Sequence, residues 1–212
     1  MSIRLNYIKP SYMSDSEISK SDIYLKDEVV FEREKSYLIK ANSGKGKSSL
    51  LNFLYGNNTN FDGNIQYDLA SEKNFFNFRQ SKISYVFQDL KLFPDLTLFE
   101  NIQLKNSLTN FKTKKEIEIL INRVSLDHKK NTQVSKLSWG QKQRVAIIRA
   151  LCQPFEFILL DEPFSHLDNH NIKIIADILK KEIEKQKAGL IMTSLGSLDE
   201  MNVISFDKVL NI

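Results

Sequence analysis

Residues 37–54 read YLIKANSGKGKSSLLNFL, an apolar run, a short polar turn and a second apolar run. The first part, 37–42, has the composition of a buried strand, and 46–55 has helical spacing. The turn between them, Ala41-Asn42-Ser43-Gly44-Lys45-Gly46-Lys47-Ser48, follows the phosphate-loop pattern G-x-x-x-x-G-K-[ST] except at its first glycine, which is Ala41. Gly44 and Gly46 let the backbone bend so that N–H groups of Asn42, Ser43, Lys45 and Ser49 can face phosphate oxygens. The helix that follows adds the positive end of its dipole. Lys47 would reach the terminal phosphates, and Ser48 would hold Mg²⁺. The plainer reading is a soluble Gly/Lys turn, which explains the composition but not the strand–turn–helix order.

Outward from this stretch the chain alternates. Strands are expected at 64–69, 83–87, 155–160 and 189–194, and helices at 98–108, 113–126, 140–152 and 171–186. That alternation predicts an α/β fold with a largely parallel core sheet. The stretch at about 90–137 has no strong strand and reads as a helical subdomain within a single domain of residues 1–212.

The segment FILLDEPF (157–164) is an apolar strand ending in two adjacent carboxylates. Ligands bind at that edge of an open parallel sheet. Asp161 there could hold Mg²⁺ through water, and Glu162 could orient or deprotonate an attacking water. An acidic surface turn before Pro163 is the alternative, and the order of the two motifs on suitable elements argues against it.

The segment LSWGQKQRVAIIRAL (137–151) closely resembles the signature of ATP-binding cassette (ABC) ATPases, and the resemblance spans nearly the whole chain. It implies that Lys47 and Ser48 are the Walker A pair, Asp161 and Glu162 the Walker B aspartate and catalytic glutamate, and Gln88 the Q-loop residue near metal and water. Ser138, Gly140 and Gln141 would face the γ-phosphate held by a second subunit, and Asp168 would belong to the D-loop SHLD (165–168). Trp139 stands where the family has glycine. The run after Gln88 is most similar to cassettes for lipoprotein release, cell division and macrolide efflux. An aromatic residue stacks on adenine in the family; Tyr12 is the best match, with Tyr7 and Tyr24 as rivals.

The resemblance implies a P-loop NTPase fold with an N-terminal antiparallel β part. It also implies an ATP-binding, ATP-hydrolysing subunit that drives a separately encoded membrane transporter by ATP-dependent head-to-tail dimerisation. A homodimer and a transmembrane subunit are the expected partners. Two other classes compete: a soluble cassette acting outside transport, and an ATP-sensing module with weak hydrolysis. The first usually carries a coiled-coil insertion or two cassettes, and neither is evident here.

Composition narrows the setting. The net charge of +4 is spread among interspersed acids and bases, so no basic stripe points to nucleic acid. The single cysteine, Cys152, fits a reducing compartment and an apolar, buried position. No apolar run approaches the roughly 18 residues of a membrane span, and residues 1–17 lack the apolar core of a signal peptide. A cytoplasmic protein, peripheral at the inner face of the membrane through its partner, is expected. His166 and His170 are four apart and could share a metal, but no third ligand is evident. Phe75, Phe76 and Phe78 read as core or as a partner-docking surface. The family's switch histidine follows the last core strand. Here the candidates are Ser194, Leu195 and Gly196, and all three histidines lie earlier. Slow turnover with tight ATP binding is the expected consequence.

Overall fold

The computed structural model describes residues 1–40, 42, 44–68, 75–194 and 203–212. Its strands are β1 (Ser2–Pro10), β2 (Val29–Glu32), β3 (Ser36–Lys40), β4 (Phe61–Tyr67), β5 (Ile83–Val86), β6 (Phe157–Asp161), β7 (Gly189–Ser194) and β8 (Lys208–Asn211). Its α-helices are α1 (Asp15–Ile18), α2 (Lys47–Leu54), α3 (Phe75–Ser81), α4 (Leu98–Asn106), α5 (Lys114–Arg123), α6 (Trp139–Ala150) and α7 (Asn169–Gln186). The central sheet has the order β5-β6-β7-β3-β8, with every pair parallel. An antiparallel sheet, β2-β1-β4, lies beside it.

The strands of the central sheet are apolar on both faces because both faces are covered. Ile158 and Leu160 of β6, Leu190 and Met192 of β7 and Leu38 of β3 join one core with α4, α5, α6 and α7. Phe157 and Leu159, Ile191, Tyr37 and Ile39 alternate with them. They join the other core with Ile3 and Leu5 of β1 and Leu50, Leu51 and Leu54 of α2. On the first face, α4 and α5 begin with reciprocal caps, Thr97 with Glu100 and Thr113 with Glu116. Each cap supplies acceptors for backbone N–H groups that the helix start leaves without a partner.

The expected strand at 189–194 matches β7, and the other expected elements differ from the observed ones at their ends. The strand expected at 155–160 starts at Phe157 and extends to Asp161, and the helix expected at 140–152 runs from Trp139 to Ala150. Helix α3 was not expected. Among the described residues, no helix is long and apolar enough to cross a membrane.

Candidate functional site

In the turn between β3 and α2, the two glycines have the backbone that phosphate binding needs. Gly44 and Gly46 have φ of +79° and +87°, in the left-handed region where glycine is favoured. Gly46 also lies against Tyr24, whose hydroxyl donates to the Gly46 carbonyl at 2.7 Å; a Cβ at Gly46 would meet that hydroxyl at 2.9 Å. Because α2 begins at Lys47, the N–H groups of Ser48 and Ser49 belong to its first turn, where no carbonyl within the helix can receive them. Lys47 is buried. Its Nζ donates to the Asn42 carbonyl at 3.1 Å and lies 3.4 Å from Glu162 Oε1. Lys45 is exposed. Ala41 and Ser43 lie outside the described residues.

The parallel sheet brings the carboxylates to this turn. Asp161 is the last residue of β6 and pairs in register with Thr193 of β7, while Lys40 at the end of β3 pairs with Ser194. The fully buried Thr193 Oγ1 donates to Asp161 Oδ1 at 2.7 Å and accepts the Glu162 N–H at 3.1 Å. Tyr85 places its hydroxyl 3.5 Å from Asp161 Oδ2, and burial together with this carboxylate raises the Tyr85 pKa. Glu162 has φ +49°, a left-handed conformation that costs a non-glycine residue about 1–3 kcal/mol. Its peptide is held from both sides, by Thr193 on the N–H and by the Gln143 Nε2, which donates to the Glu162 carbonyl at 3.1 Å. The side chain is thereby aimed at Lys47. Neither Thr193 nor Gln143 was singled out from the sequence. The available signal was a polar residue inside an otherwise apolar strand or helix face.

Ser48 Oγ donates to Gln88 Oε1 at 3.3 Å, bringing together two of the three oxygen donors named for Mg²⁺. Asp161 supplies a carboxylate at the same end of the sheet. A hydroxyl, an amide oxygen and a carboxylate form the hard oxygen set that Mg²⁺ favours.

The signature segment opens α6. Ser138 is its N-cap, so the helix starts ahead of the expected position near Gly140. The Ser138 hydroxyl accepts the Gln141 N–H at 3.3 Å, and the Gln141 side-chain oxygen accepts the Ser138 N–H at 3.0 Å. These two side chains therefore cap their own helix. A Cβ at Gly140 would meet the His166 carbonyl at 2.8 Å, so the glycine permits a close approach of the 165–168 loop. Trp139 is 46% exposed and meets the His166 ring edge-on at 5.5 Å. Asp168 caps α7, accepting the Asn171 N–H at 2.8 Å, which holds its carboxyl below the usual carboxylate range.

Among the tyrosines, Tyr12 is 58% exposed and its hydroxyl hydrogen-bonds Ser49 Oγ, beside the phosphate turn. Tyr24 is buried beneath Gly46 and offers no face. Tyr7 is exposed but engages Asp27 instead. Ser194 ends β7 half-buried; Leu195 and Gly196 lie outside the described residues. Cys152 is buried, and burial pushes its thiol up to about 12. No metal-binding cluster of His, Cys, Asp and Glu occurs among the described residues.

Comparison with known proteins agrees with this geometry. The ABC transporter family profile matches residues 26–165. The lipoprotein-releasing system ATP-binding protein LolD of Treponema denticola is 33% identical over 201 residues, 91% of this chain and 88% of that protein. An uncharacterised ABC transporter ATP-binding protein of Bacillus subtilis, YclH, is 33% identical over 172 residues, 78% of this chain and 76% of its own length. Among solved structures, the dimeric bacterial ABC transporter cassette MJ0796 superposes with a TM-score of 0.78 at 26% identity, covering 99% of this chain and 94% of that one. The chain therefore belongs to the ABC transporter family, as an ATP-binding cassette ATPase whose relatives include those of lipoprotein release.

Proposed function

We propose that this chain is the ATP-hydrolysing subunit of a membrane transporter whose spanning part is a separate protein, and that it works as a head-to-tail pair of cassettes at the inner membrane face. The observation that carries this reading is the meeting of Lys47 and Glu162 at 3.4 Å where the phosphate turn reaches the end of β6. A strained glutamate, locked at its peptide and facing the phosphate turn, suits a group that acts on water beside the terminal phosphate.

Lys47 and the α2 N-terminal amides bind the phosphates, and Tyr12 stacks on adenine. Ser48, Gln88 and Asp161 hold Mg²⁺, which when bound neutralises phosphate charge. Phosphate competes with Glu162 for Lys47, so nucleotide frees the carboxylate to accept a proton from water. Ser138, Gly140 and Gln141 of one cassette face the phosphates held by the other, with Asp168 setting the adjoining loop. No histidine follows β7, so the developing charge lacks one donor and turnover is slow.

A groove of about 290 Å³ between the sheet edge and α4 suits the membrane partner. Its aromatic wall is Tyr55, Tyr85 and Phe87, and its rim carries the exposed Phe93, Leu104 and Leu108. Phe78, by contrast, is core, and the exposed Phe75 and Phe76 do not line this groove. At its floor Arg149 donates to the carbonyls of Leu90 and Lys91 at 2.8 and 2.7 Å. Both residues have positive φ and directly follow Gln88 and Asp89, so a push on the groove reaches the Ser48–Gln88 bond.

Steady-state ATPase with Mg²⁺ tests the reading. Wild type hydrolyses ATP, and Lys47→Ala loses at least tenfold in ATP affinity, through a charge-assisted contact worth about 1.5–3 kcal/mol. Unchanged affinity in Lys47→Ala would remove the assignment.

A further inference from the structure

The groove beside α4 is apolar on its walls but carries two cations, Lys105 and Arg149. Arg149 is committed to two backbone carbonyls, so its charge is hydrogen-bonded but not neutralised. Lys105 forms no ion pair among the described residues, and the charge acting on it is the like charge of Arg149. The acids of the flanking segments are engaged locally. Glu100 caps its own helix through Thr97, and Asp89 pairs with Lys91 at 2.6 Å. Burial and Arg149 push Lys105 down to about 8, so it remains a cation at neutral pH. A mostly buried ammonium without a counter-charge is costly in an isolated chain.

Resting on the transporter reading, we propose that the membrane partner's segment seated in this groove presents an aspartate or glutamate whose carboxylate pairs with Lys105 Nζ. The surrounding chemistry defines the rest of that segment. Exposed Phe93, Leu104 and Leu108 call for apolar side chains on the face that enters, at helical spacing, with the acid at its edge. A neutral or basic segment would leave Lys105 facing no counter-charge or a like charge, so the pair discriminates against it. Lys105 thus acts as a specificity determinant for the partner, separate from the nucleotide site.

The test places benzoyl-phenylalanine at Leu104 of the full chain, cross-links in native membranes and identifies the captured peptide by mass spectrometry. The expected peptide comes from a membrane protein and carries Asp or Glu within one helical turn of the cross-link. Lys105→Glu then lowers co-purification of that protein at least tenfold, and reversing the partner's acid to lysine restores it. Lys105→Met gives an intermediate loss, and thermal unfolding shows that both variants fold. A captured membrane segment without an acid, or co-purification unchanged in Lys105→Glu, overturns the inference while leaving the transporter reading standing. Absence of any membrane-protein cross-link overturns the transporter reading and the inference with it.

Discussion

Replacing Thr193 by valine removes one hydroxyl from the centre of the site while keeping the shape of the side chain. That hydroxyl donates to the buried Asp161 carboxylate at 2.7 Å and accepts the Glu162 N–H at 3.1 Å. A hydrogen bond to a charged group contributes about 1.5–3 kcal/mol, and a buried N–H left without an acceptor costs about 1–3 kcal/mol. The two losses share one atom and do not add fully, so the expected destabilisation is about 3 kcal/mol. With a urea m-value of roughly 3 kcal/mol per molar, the unfolding midpoint falls by about 1 M. Thr193→Ser is the control. It keeps the hydroxyl and loses one methyl, worth about 1 kcal/mol. ATPase activity should separate the two variants more widely, because valine also releases the strained Glu162 peptide from one of its two restraints. A loss of tenfold or more corresponds to about 1.4 kcal/mol of misplacement at the reacting centre. Equal destabilisation by serine and valine, or a Thr193→Val protein with wild-type turnover, would refute the reasoning.

Lys105→Met should stabilise the isolated chain. The folded pKa of about 8 lies below the ordinary 10.5, so the unfolded chain binds more protons between these values and wild-type stability rises with pH across that window. Below pH 8 the full penalty is present, and removing it gains about 2–3 kcal/mol in urea unfolding at pH 7, a gain that shrinks by pH 10. A Lys105→Met protein less stable than wild type at pH 7 contradicts this. Ser194→His should raise steady-state ATPase tenfold or more by supplying a donor to developing charge, and an unchanged rate counts against the proposal that a missing histidine slows turnover. Tyr12→Ala should weaken ATP binding while Tyr7→Ala leaves it intact, read by fluorescent-nucleotide titration; equal effects would break the assignment of the adenine platform.

The motifs legible in the sequence are those whose residues are neighbours along the chain. The phosphate turn, the Asp161–Glu162 pair at a strand end and the signature segment each carry their own spacing. The restraints on Glu162 were not legible, because Thr193 is 31 residues away and Gln143 is 19 residues away, and only the sheet and α6 bring them together. The N-terminal antiparallel part was expected, but the period of β1 was hidden. Ile3 and Leu5 are buried on one parity, then Ile8 and Pro10 on the other, because a bulge between Asn6 and Lys9 with φ +51° at Tyr7 shifts the register. The caps on α6 and α7 show a further limit. Ser138 and Asp168 match ligand-facing positions in sequence, while their side chains here close local hydrogen bonds. The groove cations were unreadable for a related reason. Lys105 and Arg149 each look like an ordinary surface charge until α4 and α6 pack together.

In the proposed function, ATP joins two copies of this chain through the site built around Lys47 and Glu162. Size-exclusion chromatography with light scattering on Glu162→Gln, with and without saturating ATP and Mg²⁺, tests it most directly. The amide keeps the shape of the side chain but cannot take a proton from water, so bound ATP should persist. A monomer is expected without nucleotide, and a particle of twice that mass with ATP. A Glu162→Gln protein that binds ATP and remains monomeric would contradict it.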